Sequence, residues 1–390
     1  MKRVVFLLCL IVVFKVARAY DAQIDGVYYN LNFSTKTAIV TNEKDKVVTG
    51  SDIYTGIVVI PESILFNGKS FKITEIGKYA FFGSDISSIS LPSSIVKIND
   101  RAFFGCEKLQ SLEIPTSVKQ IGIYAFAECV SISKLFIPES VVCIEEGAFT
   151  SCSGLDSIIV ADHNPQYDSR NNCNAIVETK TNTIIAGCKN SVIPNTIVSI
   201  GIQSFAGCKE LSSIKLPNSV TDIGECAFAG SSLSNITIPS SVNFIGSAAF
   251  QNTHLKTIRI PKSIITIGSV AFSGNDSLTT IYLEDDIGLI YNNAFVSCEN
   301  LKDVYCYSED VPFTKGDGIF GGYYQDAILH VPQKVIDKYK NNAVWSRQFK
   351  KIVSIEDESE PNILWLIIAF AFVLVSFLFW VKVKKTRQKK

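Results

Sequence analysis

Histidine is scarce in this sequence, so the chemistry that depends on it has little support. His163, His254 and His330 are the only three among 390 residues, and none has a histidine, cysteine or carboxylate at the spacing of a metal ligand. The sequence also lacks a glycine-rich phosphate loop, a serine nucleophile elbow and the spaced acidic run of a calcium loop. We therefore expect no enzyme activity, no small-molecule substrate, no metal site and no cofactor.

Positive charge is also scarce between the two ends of the chain. The 37 Lys and Arg balance 37 Asp and Glu, but four of the basic residues lie within 1–19 and six within 382–390. The segment between these ends contains the other 27 basic residues and all 37 acidic residues, so its net charge is near −10. Because a nucleic-acid-binding surface needs a positive footprint, we expect no nucleic acid partner.

The N-terminal end has the pattern of a secretory signal peptide. Residues 1–19 combine Lys2 and Arg3, an apolar run over 4–14 and the small-x-small site Ala17-Arg18-Ala19. We predict that residues 1–19 direct export of the chain.

A second apolar run lies near the C-terminal end. Residues 363–381 are 19 residues without a charge, long enough for a helix to cross a hydrocarbon core of about 30 Å. Trp365 and Trp380 near its ends disfavour a buried core helix, and the basic segment 382–390 disfavours a cleaved lipid-anchor signal. We predict a transmembrane helix over 363–381 and a basic cytoplasmic tail over 382–390. The positive-inside rule then gives a single-pass type I protein at the cell surface.

Between these ends the sequence repeats one phrase about nine times. A phenylalanine recurs every 22 or 23 residues, apart from one gap of 56, at Phe81, Phe103, Phe126, Phe149, Phe205, Phe228, Phe250, Phe272 and Phe295. A period of this length indicates a solenoid, in which each coil contacts only its neighbours. Function should then lie on an extended face and not in a catalytic cleft.

Each repeat contains two short apolar stretches of period two, which predict strands. Most repeats have a proline at one corner and a glycine at another, as at Pro115 and Gly122. We expect glycine to admit backbone conformations that other residues resist. The phenylalanine of each Ala-Phe pair should fill the interior and stack from coil to coil.

The repeated phrase resembles the BspA-like class of leucine-rich repeats, which occur in secreted and surface proteins of microbes. The clearest copy has the recurring positions at Leu109, Leu112, Ile114, Pro115, Ser117, Val118, Ile121, Gly122, Ala125, Phe126 and Cys129. The resemblance covers roughly residues 55–352, and the segment from Asn164-Pro165 to Gly187-Cys188 resembles a longer variant coil of that class. It implies a leucine-rich solenoid that adheres to host or matrix proteins or to other cells.

The flanking segments resemble the caps of that family. Residues 24–29 and the Asn67-Gly68 turn resemble its N-terminal cap, and His330-Val331-Pro332 with a short helix near 335–340 resembles its C-terminal cap. The predicted fold class is a β-rich leucine-rich repeat solenoid of 22- to 23-residue repeats, with both caps and one C-terminal transmembrane helix. The predicted boundaries are 1–19 for the signal peptide, 20–75 for the N-terminal β cap and first coil, 76–306 for the solenoid with its longer coil at about 153–193, 307–355 for the C-terminal cap, 363–381 for the membrane helix and 382–390 for the tail.

Ten cysteines remain after the signal peptide. Five share one repeat position, where other copies have Ser, Thr or Asn, namely Cys106, Cys129, Cys152, Cys208 and Cys298. Stacked coils lie about 4.8 Å apart, within reach of a bridge, but parallel side chains favour a ladder of free, buried thiols. The cysteines off that position are the better candidates for bonds, namely Cys143, Cys173, Cys188, Cys226 and Cys306. Among them, Cys173 and Cys188 form the candidate disulfide that would staple the variant coil.

Three Asn-x-Ser/Thr sequons are candidate N-glycosylation sites, at Asn32, Asn235 and Asn275. Such triplets also arise by chance. Asn235 lies on a predicted strand, where a glycan would obstruct the neighbouring face.

The strand residue between the two apolar positions of each repeat points outward, and packing leaves its identity unconstrained. Read along the repeats, this outward column contains Phe136 beside Ile159, and then Arg259, Tyr282 and Tyr305. Tyr and Arg are enriched at binding hot spots. These five residues are the candidate partner-binding positions, although scattered exposed apolar residues are also normal on protein surfaces.

The sequence therefore predicts a cell-surface protein whose repeats bind proteins or glycoproteins on other cells or in the matrix, as an adhesin. The alternative is a structural coat protein or a receptor-like molecule without specific adhesion. Loss of binding on substitution of Arg259, Tyr282 and Tyr305 distinguishes the two.

Overall fold

The computed structural model describes residues 20–43, 54–316, 318–320 and 324–356. The described chain divides into two compact units, one within residues 1–233 (unit 1) and one within residues 234–390 (unit 2). Each unit is a stack of short β-strands joined by tight corners, the repeat geometry of a β-solenoid.

One part of the predicted fold class is wrong. None of the helices in the described ranges is long and apolar enough to cross a membrane. The α-helix found there, α1 (Ile336–Asn341), has six residues. The predicted signal peptide at 1–19, span at 363–381 and tail at 382–390 lie outside those ranges. The fold class of the described ranges is accordingly a capped β-solenoid.

Unit 1 contains the following strands in chain order, with a 3-10 turn at Arg170–Asn172. They are β1 (Ala22–Ile24), β2 (Val27–Asn32), β3 (Thr37–Thr41), β4 (Thr55–Val59), β5 (Ser63–Phe66), β6 (Lys69–Ile76), β7 (Asp85–Ser90), β8 (Lys97–Ile98), β9 (Gln120–Ile121), β10 (Lys134–Ile137), β11 (Cys143–Ile144), β12 (Ser157–Val160), β13 (Tyr167–Asp168), β14 (Ala175–Glu178), β15 (Thr183–Gly187), β16 (Ser199–Ile200) and β17 (Asp222–Ile223).

Unit 2 contains further strands, the helix α1 and 3-10 turns at Gln333–Val335 and Trp345–Arg347. Its strands are β18 (Phe244–Ile245), β19 (Thr257–Ile260), β20 (Thr266–Ile267), β21 (Thr280–Leu283), β22 (Leu289–Tyr291), β23 (Asp303–Cys306), β24 (Phe313–Lys315), β25 (Tyr324–Val331) and β26 (Phe349–Ser354).

The first strands of unit 1 start the stack. β1, β2 and β3 pair antiparallel, and β5 and β6 form a hairpin around Asn67 and Gly68, both of which have positive φ. β6 then pairs parallel with β3 on one side and β8 on the other, and β9 and β11 follow. This register aligns Ile76, Ile98 and Ile121, whose side chains are fully buried. One apolar residue per coil thus continues the core.

The variant coil interrupts the outer strands of unit 1. β10 and β12 pair parallel, but beyond β12 side chains replace a neighbouring strand. Asn174 Oδ1 accepts the Ile158 N–H at 2.7 Å, and Ser169 Oγ accepts the Val160 N–H at 3.1 Å. The polar edge of β12 is therefore satisfied without another strand, as buried backbone groups require.

In unit 2 parallel strands stack on two faces. The short strands β18, β20, β22 and β24 pair in that order. The longer strands β19, β21, β23, β25 and β26 form the other sheet. Near the C-terminal end, α1 is anchored by Tyr339, which is buried against Trp345 with ring centroids 5.5 Å apart.

The predicted phenylalanine ladder is confirmed in both units. In unit 1, Phe81, Phe103 and Phe126 stack with centroids 5.0 Å apart and planes within 5°. In unit 2, Phe272 stacks between Phe250 at 5.1 Å and Phe295 at 5.0 Å. All of these rings are fully buried, so each coil adds one aromatic ring to a continuous interior.

The repeated glycines at the corners are needed for a different reason from the one expected. Gly122 and Gly268 do not have positive φ; instead a Cβ would lie 2.6 Å from the Asp100 nitrogen and 2.4 Å from the Ser247 nitrogen. Glycine there allows the backbone of the preceding coil to approach closely. The residue that precedes the Ala-Phe pair has the left-handed backbone conformation, and in most repeats it is not glycine. Tyr124, with φ 54°, is an example.

Candidate binding surface

The outer sheet of unit 2 presents the predicted column of outward side chains, of which Arg259 is exposed and Tyr282 and Tyr305 are half-buried. β19 alternates exposed and buried residues, so that Ile258 and Ile260 face the core while Arg259 faces outward. Parallel pairing places Arg259 opposite Tyr282, Tyr282 opposite Tyr305, and Tyr305 opposite His330. We call these four residues the Arg-Tyr ladder.

The side chains of the Arg-Tyr ladder are stacked. The Arg259 guanidinium carbon lies 4.4 Å from the centroid of the Tyr282 ring. The rings of Tyr282 and Tyr305 are 5.0 Å apart with planes 15° from parallel, and Tyr305 and His330 are 4.3 Å apart at 14°. Since neighbouring rings cover one another's faces, the surface offers ring edges and polar tips to a partner.

Polar contacts fix both ends of the ladder. Arg259 forms an ion pair with Glu284, and this hydrogen bond raises the pKa of Arg259. His330 is 2 % exposed, and its Nε2 lies 2.9 Å from Asp303 Oδ1. The stack is therefore held at its first and last members before any partner binds.

His330 was not among the predicted binding residues, although the sequence carries a signal for it. Leu329-His330-Val331-Pro332 follows the same apolar-x-apolar-Pro pattern as Leu112-Glu113-Ile114-Pro115. Because this segment also resembles the C-terminal cap of the family, its place in the outward column is not evident from the sequence.

A groove of about 490 Å³ borders the Arg259 end of the ladder. It lies beside the coil that precedes β19, and its walls include Asn235, Thr237, Thr257, Arg259, Lys262 and Glu284. Buried Ile236 and Ile238 form its base. A groove of this size, with an apolar base and a few charged groups, has the character of a recognition site.

The other predicted patch belongs to unit 1 and is simpler. Phe136 and Ile159 are in register on β10 and β12, and their side chains are 51 % and 53 % exposed. A second groove, of about 520 Å³, runs between β12 and the turn that carries Arg170, which pairs with Asp168 at 2.6 Å. This region offers two apolar side chains, but no stack like that of unit 2 was found among its described residues.

The three sequons have different accessibility. Asn32 is exposed, and its Oδ1 accepts the Ser34 hydroxyl at 2.6 Å. Asn235 is exposed and borders the groove. Asn275 is fully buried and donates to the carbonyl oxygens of Phe250 and Phe272, both at 2.8 Å. A glycan on Asn275 is incompatible with this structure, whereas Asn32 and Asn235 stay predictions.

The repeated cysteine position forms the expected ladder of free, buried thiols. Cys106, Cys129 and Cys152 each donate to a phenylalanine carbonyl oxygen of the preceding coil, at 3.0, 3.2 and 3.0 Å. Burial raises the pKa of Cys106 and of Cys152 to about 12. These thiols are therefore protonated donors at neutral pH, suited to packing and not to reactivity.

The predicted Cys173–Cys188 bond is not formed in this structure. Both are free, and their sulfur atoms donate instead to the carbonyl oxygens of Ala175, at 3.7 Å, and Asn174, at 3.5 Å. Antiparallel pairing of Ala175 with Gly187 holds the two segments together without a staple. The disulfide stays a prediction for the oxidised protein.

Comparison with known proteins supports the repeat assignment. The chain matches, in six copies, the family model described as the BspA type leucine rich repeat region, over residues 74–185 and 185–302. No curated protein matches it. The metal-ligating side chains of the described ranges form no group of three or more that could hold a metal ion.

A solved structure shares the fold. The pneumococcal vaccine antigen PcpA is 19 % identical with a TM-score of 0.57, over 85 % of this chain and 98 % of that one. A leucine-rich repeat protein from Bacteroides ovatus is 20 % identical with a TM-score of 0.43, over 86 % and 100 %. A leucine-rich cell surface protein from Faecalibacterium prausnitzii is 20 % identical with a TM-score of 0.38, over 76 % and 94 %. At these identities the likeness to PcpA shows a common fold.

Proposed function

Because this chain belongs to the BspA-type leucine-rich repeat family, we propose that it is a cell-surface protein whose repeats bind other proteins and thereby mediate adhesion. The partners are proteins or glycoproteins on host cells, in the matrix or on other cells. Export through the signal-peptide pattern of residues 1–19 and the net negative charge of the remaining chain agree with this role.

The observation that carries the proposal is the Arg-Tyr ladder. Arg259, Tyr282 and Tyr305 stack outside the buried core, which is continuous beneath them. Outward side chains that are already ordered lose little conformational entropy when a partner binds. Tyr and Arg are also the residues most often found at energetic centres of interfaces. The outer face of unit 2 is therefore the proposed adhesion surface.

The direct test measures binding of the full-length chain to cells and to immobilised matrix proteins. The test variant replaces Arg259, Tyr282 and Tyr305 with Ala. The matched control replaces Ser90, Glu113 and Lys215 with Ala. These three are exposed positions of the same column in unit 1. We expect the test variant to bind about 100-fold more weakly, and the control to bind as the parent does.

Two results contradict the proposal. Equal binding by parent and test variant removes the ladder as the adhesion surface. Absence of binding by the parent to every cell and matrix protein favours the alternative of a structural coat protein. Circular dichroism of both variants separates loss of contact from loss of fold.

A further inference from the structure

The two ends of the Arg-Tyr ladder are not equivalent. At one end, His330 pairs through β25 with Val353 on β26 and is almost completely buried. At the other end, the preceding coil offers Thr237 at the same column position, a small exposed residue that lines the groove. The ladder is thus covered at His330 and open toward the groove at Arg259.

Arg259 is held in a fixed orientation at this open end. One face of its guanidinium packs on the Tyr282 ring, while its Nη1 atom bonds to Glu284. The groove is lined mainly by the preceding coil and by the coil of Arg259; it reaches Glu284, but Tyr282 is not part of its lining. Because a guanidinium is planar and stacks on aromatic rings through its faces, the side turned to the groove can accept another ring.

We propose that the groove receives an aromatic side chain of a partner protein, which stacks on Arg259 as the next member of the ladder. Spacings of 4.3 to 5.0 Å within the ladder define the geometry that the incoming ring continues. The groove volume of about 490 Å³ lies within the range of sites that enclose small ligands or side chains. Thr237 leaves that space open because its side chain is short.

The charges that line the groove indicate which residue type lies beside the partner's aromatic residue. Arg259 is compensated by Glu284, but Lys262 is exposed at the rim and forms no ion pair with any other described residue. A partner carboxylate beside the aromatic residue would pair with Lys262. The recognised element is therefore an aromatic residue next to Asp or Glu. This inference rests on the proposal that the outer face of unit 2 binds protein.

The test uses the full-length chain and two blocked dipeptides observed by saturation-transfer NMR. Acetyl-Glu-Tyr-amide is the probe, and acetyl-Glu-cyclohexylalanine-amide has similar bulk without an aromatic face. We expect saturation transfer to the tyrosine ring and at least about threefold weaker binding of the cyclohexyl peptide. No detectable transfer to the tyrosine peptide at about 10 mM, weaker than any specific site of this kind, overturns the proposal.

Variants locate the site. Thr237→Trp fills the groove and should abolish the transfer, whereas Ser90→Trp, at an exposed column position of unit 1, should leave it unchanged. Arg259→Lys keeps the charge but removes the planar face and should weaken binding at least about threefold. Lys262→Met should weaken binding of the Glu-Tyr peptide more than it weakens binding of an acetyl-Gln-Tyr-amide control. Unchanged binding by Thr237→Trp and Arg259→Lys contradicts the proposal.

The same variants separate this inference from the proposed function. If Thr237→Trp binds cells and matrix proteins as the parent does, while the Arg259, Tyr282 and Tyr305 triple variant does not, the adhesion surface stands and the aromatic site falls. If neither variant changes adhesion, the proposed function fails as well.

Discussion

In unit 1 the outward column brings together Phe136 and Ile159, whereas in unit 2 the same column contains Arg259, Tyr282, Tyr305 and His330. The two faces rest on the same kind of core, a stack of buried phenylalanines. Only the unit 2 residues form a chain of stacked planes that is pinned by polar contacts at both ends. The comparison shows that the repeat fixes the framework and that ordering of the outward side chains distinguishes the surfaces.

If both units have the same kind of core, equivalent substitutions in the two cores should lower the free energy of unfolding by similar amounts. We expect Phe126→Ala in unit 1 and Phe272→Ala in unit 2 each to lower the free energy of unfolding by about 3–5 kcal/mol, because each leaves a cavity between stacked rings. Chemical denaturation of the full-length variants measures both. The exposed Phe136→Ala serves as control and should change stability by less than about 0.5 kcal/mol. Unequal losses for the two buried rings would show that the cores differ.

The shared polar corner provides a sharper contrast between two of the residues that occupy it. In unit 2 the Asn275 side chain bonds two carbonyl oxygens, whereas in unit 1 the Cys129 thiol bonds one, that of Phe103. We expect Asn275→Ala to cost about 2–3 kcal/mol and Cys129→Ala about 1 kcal/mol, since buried acceptors lose their donors. The same denaturation experiment ranks the two. A larger loss for Cys129→Ala contradicts this account of the corner.

Much of this fold could be predicted from the sequence, because the repeat makes each packing position visible several times. The phenylalanine stack and the free thiols at Cys106, Cys129 and Cys152 followed from period and spacing. The left-handed conformation of the residue before the Ala-Phe pair could not be predicted, because residues such as Tyr124 are not glycine and do not indicate a positive φ. Burial of Asn275 was missed because a sequon and a corner donor use the same residue type.

The candidate site was predictable in part. Arg259, Tyr282 and Tyr305 were found as outward residues, because strand alternation assigns them to one face. Their mutual stacking, the groove beside Thr237 and the capping of β12 by Ser169 and Asn174 depend on side-chain rotamers and on the path of the variant coil. Periodicity contains no information on either.

Stacking itself can be separated from the mere presence of apolar area. Tyr282→Phe keeps a planar ring between Arg259 and Tyr305, whereas Tyr282→Leu removes it. We expect adhesion to weaken about tenfold in Tyr282→Leu and about threefold or less in Tyr282→Phe. Binding assays with the same cells or matrix proteins measure this. Equal losses would assign the effect to the hydroxyl group and not to the stack.

The smallest expected signal is chemical labelling of the thiol ladder. Burial raises the pKa of Cys106, Cys152, Cys208 and Cys298 to about 12, in both units alike. The thiolate form, which is the reactive one, is populated only as pH rises toward that value. We expect negligible alkylation by iodoacetamide at pH 8 in the native chain and complete alkylation after denaturation. Half-buried Cys143, with a pKa raised to about 11, and half-buried Cys226, whose pKa is also raised by burial, should react before the four buried thiols.

The central claim is that adhesion depends on the ordered ladder of unit 2 and not on exposed apolar area in general. The most direct measurement compares, in one binding assay, the full-length chain carrying Tyr282→Ala and Tyr305→Ala with a chain carrying Phe136→Ser and Ile159→Thr. We predict at least about a 30-fold loss of binding for the first and less than about threefold for the second. A larger loss for the Phe136 and Ile159 variant would contradict the claim.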